Sequence, residues 1–248
     1  MTQPVLLHWD ERQFQWVYSA TAIAGLLLAL FLPSSRRHVA PAARRAYVVL
    51  QVITLLGAIV GAKLAFLEGD LGWPSAHVGW EQVVFSGRSI TGGLLGGFLS
   101  AELAKPALRY AELPNDWFAT KLPLSIAVGR VGCVLAGCCR GVEGRYAVSM
   151  VYSDGAPRFP AQLAELAFQI VAFFTAWALF RRGALRARVF AAYMIAYGLF
   201  RLGIEALRET PKLPVGLSAY QLFAIALAAC GAASFAWYSR VLARRAPT

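Results

Sequence analysis

The stretch GRVGCVLAGCCRG, residues 129–141, closes an apolar run that begins near Leu122. If that run crosses a membrane, Arg130 lies at or near the hydrocarbon boundary with a guanidinium that keeps its charge. Glycines at positions 129, 132, 137 and 141 remove side chains from the same region, which allows a helix or a ligand to approach the backbone closely. The stretch therefore predicts either a packed helix with a snorkelling or paired arginine, or a binding site for an anion.

The composition is that of an integral membrane protein. Hydrophobic residues make up 58% of the 248 residues, charged residues make up 15%, and the mean hydropathy is +0.54. A soluble domain of this size usually carries fewer apolar residues. The net charge of +11 comes from short basic clusters between apolar runs, which is the arrangement of loops that set membrane topology. We therefore expect no nucleic-acid partner.

Seven apolar runs approach the ~20 residues that are needed to cross the hydrocarbon core. The third run is short and contains two Gly-Gly pairs, so it is a candidate for a broken or partly re-entrant helix. The sequence predicts an all-α, polytopic membrane protein, a bundle of about seven transmembrane helices that forms one integral membrane domain over residues 1–248. The predicted spans are 16–32, 46–67, 89–104, 117–136, 161–180, 189–207 and 218–238.

Basic residues set the predicted orientation of the spans. The loops on one side hold thirteen Lys and Arg residues, whereas the loops on the other side hold seven, accompanied by eight acidic residues. Because basic loops stay in the cytoplasm, we expect the N-terminus outside and the C-terminus in the cytoplasm.

Charged residues at membrane depth mark a candidate site. Arg130, Glu165, Arg201 and Glu205 all lie toward the outward ends of their predicted spans. Arg201, Glu205 and Arg208 recur at i, i+4 and i+7, which predicts one helical face. Two explanations of Arg201 and Glu205 are open: an ion pair that only neutralises its own charges, and a pair that takes part in function. Glu165 is also explained as a first-turn carboxylate stabilised by the helix dipole. Two fixed cations and a carboxylate facing one cavity would suit a phosphate-bearing lipid headgroup.

Three cysteines follow Arg130 in the chain. Cys133, Cys138 and Cys139 lack the spacing of a recognised zinc site, and the three histidines are scattered. We expect small buried thiols, with a disulfide between two of them as the alternative on an oxidising face. The prediction is no metal and no cofactor.

Four stretches match, in order and spacing, the motifs of one family. Residues 129–141 resemble a Gly-Arg-aliphatic-Gly signature, and SITGGLLG at 89–96 resembles a glycine-rich third span. PAQLAE at 160–165 is similar to a Pro-Ser/Thr-Gln-Leu-Tyr-Glu motif, and FRLGIEALR at 200–208 to a Phe-Arg-x-x-x-Glu-Phe-x-Arg motif. These are motifs of the prolipoprotein diacylglyceryl transferases, and the resemblance covers most of the chain from about residue 85 to about residue 225.

The resemblance implies a multi-pass enzyme of a bacterial inner membrane. It would transfer the diacylglyceryl group of phosphatidylglycerol, a lipid of the bilayer, to the lipobox cysteine in the signal peptide of a preprolipoprotein. By position, Arg130 and Arg201 would hold the phosphate and Glu205 would position the headgroup, which makes these three the predicted catalytic residues. Predicted substrate-binding residues, of which the glycines would leave room for lipid, are Gly92, Gly93, Gly132, Gly141, Gln162, Glu165 and Arg208.

Several positions depart from the family pattern. Thr91 stands where the family usually has His, so a candidate general base for the acceptor thiol is missing. Cys133 and Cys138 replace Asn and Glu of the signature, and Phe159 and Ala164 replace polar or aromatic residues. A divergent member of the family fits these departures. Three functions are open: the lipoprotein enzyme, a related transferase with a different acceptor, and a non-catalytic phospholipid-binding protein.

Overall fold

The structure is a computed structural model that describes residues 16–17, 19–21, 23–25, 27–28, 40–71, 79, 89–111, 116–151 and 155–245. The described residues between 16 and 28 are helical, and the remainder of the predicted span 16–32 lies outside the described part. The helices with defined ends are α1 (Arg44–Leu71), α2 (Ile90–Ala107), α3 (Phe118–Ala136), α4 (Ala161–Arg181), α5 (Val189–Ile204) and α6 (Ala219–Arg245). Short 3-10 turns cover Pro41–Ala43 and Glu205–Leu207, and an antiparallel ribbon pairs β1 (Met150–Val151) with β2 (Pro157–Arg158).

Five helical stretches of the described chain are long and apolar enough to cross a membrane. They are Pro41–Asp70, Phe118–Ala136, Ala161–Arg181, Val189–Leu207 and Ala219–Arg244. Apolar side chains on their outer faces, such as Val60 and Val171, are exposed, as lipid-facing positions require. The prediction of an all-α, polytopic membrane protein is confirmed. The orientation of the termini stays a prediction.

The third predicted span forms a continuous helix, so the expectation of a broken helix is wrong, while a partly re-entrant course stays a prediction. Ser89 caps α2, because its hydroxyl accepts a hydrogen bond of 3.2 Å from the Gly92 backbone N–H. A Cβ atom at Gly92 would collide with the backbone of Gly61 and the side chain of Ala65 on α1. The glycines therefore allow close packing of two helices instead of breaking one.

The chain forms two compact units, and the first contains the N-terminal helical segment, α3, α4, the ribbon and residues 206–209. Within it α3 packs along α4. The Ser125 hydroxyl on α3 donates a hydrogen bond to the Gly25 carbonyl of the N-terminal segment. Helix α3 ends at Ala136 because Gly137 takes a left-handed conformation, with φ of 62°.

The second unit contains α1, α2, α5 and α6. Helix α1 packs along α2, and α5 packs along α6. Tyr197 of α5 and Leu227 of α6 are fully buried, and Gly198 lies so near α6 that a Cβ there would be 2.7 Å from the Ala224 carbonyl oxygen. Small residues thus bring the helices of this unit together. The prediction of one integral membrane domain for the whole chain stays a prediction.

Candidate functional site

Three of the four motif stretches meet through main-chain hydrogen bonds in the first unit. The Gly141 N–H donates to the Phe159 carbonyl at 2.8 Å, and the Phe159 N–H donates to the Val142 carbonyl at 3.1 Å. The Val142 N–H donates to the Leu207 carbonyl at 2.9 Å, next to an antiparallel bridge between Gly141 and Arg208. We call Gly141, Val142, Phe159 and Leu207 the backbone junction. It joins the segment after α3 to the start of the motif at 160–165 and to the end of the motif at 200–208.

An ion pair inside the first unit joins Arg130 to Glu165. The Arg130 Nη2 and the Glu165 Oε2 are 2.7 Å apart, and the two side chains are only 12% and 3% exposed. Arg130 lies in the last two turns of α3, and Glu165 follows Pro160 by five positions, where the proline caps the start of α4. Removing one partner of such a buried pair strongly destabilises the protein, because the other charge is left buried without compensation. The explanation of Glu165 as a first-turn carboxylate is wrong, because α4 begins at Ala161 and its first turn holds no acidic residue. The Glu165 carboxylate meets a cation of another helix instead.

Polar residues line the buried face of α4 on both sides of Glu165. Gln162 lies three positions before it and Gln169 four positions after it, and all three side chains are buried. This spacing places them on one helical face. Gln169 was missed by the sequence analysis, although its distance of seven positions from Gln162 was visible in the chain.

A second ion pair lies within the second unit, between α5 and the 3-10 turn that follows it. The Arg201 Nη2 donates to the Glu205 Oε2 at 2.7 Å, with side chains that are 5% and 1% exposed. The Thr210 hydroxyl donates to the other carboxylate oxygen of Glu205 at 2.8 Å. The i, i+4 pair predicted from the sequence is thus present, whereas the role of Thr210 was missed because it lies beyond the helix.

Arg208 does not share the helical face predicted for it. Helix α5 ends at Ile204, and Glu205–Leu207 form a 3-10 turn, so the seven-residue spacing from Arg201 no longer returns to the same face. The backbone of Arg208 bridges to Gly141 instead. The physical reason for this correction is that the main chain here pairs with the backbone junction and leaves the helix.

The four predicted lipid-contacting glycines have close protein neighbours. Gly92 faces Gly61, while Gly93 has its nearest neighbours at 3.4 Å. Gly132 of α3 lies against the Thr21 side chain, and a Cβ at Gly141 would be 2.5 Å from the Leu207 carbonyl oxygen. Gly92, Gly132 and Gly141 therefore permit close packing inside their own units, whereas a Cβ at Gly93 would make only ordinary van der Waals contacts. Their predicted contact with lipid stays a prediction.

Three thiols cluster where α3 ends. The Sγ atoms of Cys133, Cys138 and Cys139 all lie within 4.8 Å of one another, and all three cysteines are free thiols. An Arg130 Nη1 donates to the Cys133 Sγ at 3.7 Å. Hydrogen bonds with Cys133 and Cys138, together with the charge of Arg130, lower the pKa of Cys139, whereas the hydrogen bond with Cys133 raises the pKa of Cys138. Among the described residues, this is the cluster of His, Cys, Asp or Glu with the geometry to hold a metal ion.

The fold and these contacts define a multi-pass α-helical membrane protein with guanidinium–carboxylate pairs inside its helical units. Guanidinium groups in such surroundings bind phosphate oxygens strongly, because their parallel N–H groups match the anion and little water competes. The profile of the family described as prolipoprotein diacylglyceryl transferase matches residues 4–237. The chain belongs to this family.

Individual relatives are similar over most of their length. The phosphatidylglycerol–prolipoprotein diacylglyceryl transferase of Clostridium tetani strain Massachusetts / E88 is 27% identical over 208 residues, which are 79% of this chain and 81% of that protein. The protein of the same name from Nitratidesulfovibrio vulgaris strain Hildenborough is 29% identical over 230 residues, 88% of this chain and 85% of that protein. The family predicted from the four motifs is confirmed.

Proposed function

We propose that this chain transfers the diacylglyceryl group of phosphatidylglycerol to the lipobox cysteine of a preprolipoprotein. The thiolate of the acceptor attacks the glyceryl carbon that carries the phosphate ester. A carbon–sulfur bond forms, the carbon–oxygen bond breaks, and glycerol phosphate leaves with the electron pair. Family membership and the names of the relatives support this reaction.

The observation that carries the proposal is the buried pair of Glu165 with Arg130, the arginine of the signature segment. In the resting protein, Glu165 neutralises Arg130 and keeps its guanidinium in one orientation. A phosphate group entering beside Arg130 competes with the carboxylate for the N–H donors. As the ester bond breaks, negative charge grows on the departing phosphate, and the guanidinium stabilises that charge more than it stabilises the diester.

Arg201 and Glu205 have the second proposed catalytic role. Glu205 accepts hydrogen bonds from Arg201 and Thr210 on its two oxygens, so the Arg201 fork is held in one orientation. An oriented guanidinium suits a phosphate oxygen, and Glu205 suits a glycerol hydroxyl of the headgroup. Variants at Arg130 and at Arg201 test the two proposed roles separately.

The acceptor thiol must lose a proton before it attacks. Thr91 is buried in α2, and its hydroxyl is no base at neutral pH. The proton therefore passes to another group or to water. Gln162 and Arg208 complete the proposed substrate contacts, since both adjoin the motifs that the backbone junction joins.

The proposed setting is a bacterial inner membrane, with the N-terminus outside and the C-terminus in the cytoplasm. The distribution of basic residues supports this orientation. Thirteen Lys and Arg residues fall in the loops assigned to the cytoplasm, whereas seven fall in the loops on the other side. The partners are phosphatidylglycerol of the bilayer and the signal peptide of the preprolipoprotein.

The decisive experiment incubates a lipobox peptide with the purified chain and phosphatidylglycerol in nanodiscs and weighs the peptide by mass spectrometry. We expect a diacylglyceryl-sized gain on the cysteine. Arg130→Lys should lower kcat/KM about 10- to 150-fold, because charge-assisted hydrogen bonds of about 1.5–3 kcal/mol are lost while the charge stays.

A matched control is available at Arg158 in the same unit. Its side chain is 13% exposed, like that of Arg130, but its partners Glu143 and Glu209 are exposed. Arg158→Lys should leave kcat/KM within about twofold of the starting chain. Equal loss in both variants would overturn the role of Arg130. No mass gain with a folded chain and an active positive control would exclude the lipoprotein acceptor, and retained phosphatidylglycerol binding would then support the non-catalytic function.

A further inference from the structure

The three clustered thiols come together through an unusual course of the main chain. Cys133 lies in the last turn of α3, and Gly137 then turns the chain with a positive φ. Cys139 itself has φ of 57°, in the left-handed region that residues with a side chain rarely adopt. This conformation costs about 1–2 kcal/mol. It places two consecutive cysteines beside a third, five and six positions earlier, with all Sγ atoms within 4.8 Å of one another.

The sulfur geometry suits coordination of one ion. Zinc–thiolate bonds are about 2.3 Å long, so three sulfurs around one ion lie about 4 Å apart. Separations of no more than 4.8 Å need small side-chain rotations to reach that distance. Cys133 is buried and the other two are partly buried, so the sulfurs are shielded from bulk water on one side. Thiolates select soft cations, whereas carboxylate-rich sites select magnesium or calcium.

The guanidinium groups of Arg130 and Arg208 both act on the cluster, but three ionised sulfurs would carry more negative charge than these two groups balance. Arg130 is the cation whose Nη1 reaches Cys133, at 3.7 Å, and its charge is already balanced by Glu165 at 2.7 Å. Ionised sulfurs at the edge of the membrane require compensation by positive charge. A metal ion bonded to the three sulfurs supplies that charge directly, without withdrawing Arg130 from its carboxylate.

We propose that Cys133, Cys138 and Cys139 bind one thiophilic d10 cation, Zn²⁺ or Cu⁺, through three thiolates. Each thiol releases its proton to solvent as its sulfur bonds to the metal. Cu⁺ is satisfied by three sulfurs in a plane, whereas Zn²⁺ keeps a fourth position for water or another ligand. The site replaces the expectation of no metal, which rested on the spacing of the cysteines and on the scattered histidines. Because Cys133 is one helical turn from Arg130, the bound ion also fixes the end of the helix that carries this arginine.

The test uses the whole chain, purified in detergent and reduced before the reductant is removed. Co²⁺ is added first as a spectroscopic probe, because thiolate bonding produces intense charge-transfer absorption. Zn²⁺ is then measured by displacement of Co²⁺, and Cu⁺ by competition with a chromophoric chelator under anaerobic conditions. We expect one ion per chain, and the two competition arms decide between Zn²⁺ and Cu⁺.

Cys138→Ser and Cys139→Ser should weaken binding by about hundredfold or more, since each removes a direct ligand. Cys230→Ser is the matched control, because this free cysteine lies on α6, outside the cluster. The proposal is overturned if the reduced chain binds neither ion, or if the cluster variants bind as tightly as Cys230→Ser does.

Alkylation of the unchanged chain gives a second measurement that needs no variant. The bound ion should protect the three cluster cysteines from iodoacetamide and leave Cys230 at its metal-free rate, as read by peptide mass spectrometry. Equal alkylation of the cluster with and without Zn²⁺ or Cu⁺ would also overturn the proposal.

Discussion

Glu165→Gln isolates the electrostatic role of the pair with Arg130. The amide keeps the size of the carboxylate and can still accept a hydrogen bond, but it leaves a guanidinium that is 12% exposed without its counter-charge. Loss of one partner of a buried pair costs about 3–5 kcal/mol. The hydrogen bond that the amide can still accept offsets about 1 kcal/mol of this loss. We therefore expect the free energy of unfolding to fall by about 2–4 kcal/mol, or roughly 4–16 °C in thermal midpoint for a chain of this size.

Glu209→Gln provides the comparison within the same unit. Its carboxylate is 2.9 Å from Arg158, nearly the same distance, but its side chain is 58% exposed. Exposed pairs contribute about 0–1 kcal/mol, so this variant should unfold within a few degrees of the starting chain. The assay follows tryptophan fluorescence during heating in detergent. Equal destabilisation by the two substitutions would refute the argument that burial makes the Arg130–Glu165 pair important.

The same heating experiment with phosphatidylglycerol present tests the phosphate role of Arg130. In Glu165→Gln no carboxylate competes with the lipid phosphate, so the headgroup should raise the thermal midpoint more than in the unchanged chain. An identical rise in both proteins would show that the phosphate does not reach Arg130.

Three further predictions concern other parts of the chain. Gly92→Ala should lower the thermal midpoint markedly because a Cβ there meets the backbone of α1, while Gly93→Ala, with neighbours at 3.4 Å, should be tolerated; circular dichroism during heating compares them. Thr210→Val should cost about 1 kcal/mol and lower turnover, because Glu205 loses a hydrogen bond of 2.8 Å; unchanged turnover with the mass-spectrometric assay would contradict this role. In the metal-free chain, the lowered pKa of Cys139 means that its thiolate persists as the pH falls below the ordinary thiol range. Between about pH 8 and about pH 6 its alkylation rate should therefore fall less steeply than that of an ordinary thiol, which slows about tenfold per pH unit.

Hydropathy predicted the helices well because each span has to satisfy its backbone hydrogen bonds within the membrane. The span predicted at 161–180 is α4, Ala161–Arg181, with its start set by Pro160. The third span was misjudged in one respect, since paired glycines lower helix propensity in isolation but are favoured where two helices pack closely. Local pattern could not distinguish these two effects.

Contacts between distant parts of the chain could not be predicted from hydropathy or from local sequence patterns. The sequence singled out Arg130 and Glu165, but nothing in their separation of thirty-five positions indicated that they form a pair. The thiol cluster was missed for a related reason. Its geometry depends on the left-handed backbone of Cys139, which is rare for a residue with a side chain and therefore not expected from sequence.

The backbone junction of Gly141, Val142, Phe159 and Leu207 has a consequence for how such a chain can change over time. Its hydrogen bonds run between main-chain groups, so they require a particular path of the chain and, except at Gly141, where a Cβ would be 2.5 Å from the Leu207 carbonyl oxygen, little from the side chains along it. New side chains can therefore be tried on the flanking residues while the scaffold beneath them persists. The side chains that flank the backbone junction can therefore change in evolution faster than the main-chain path through it.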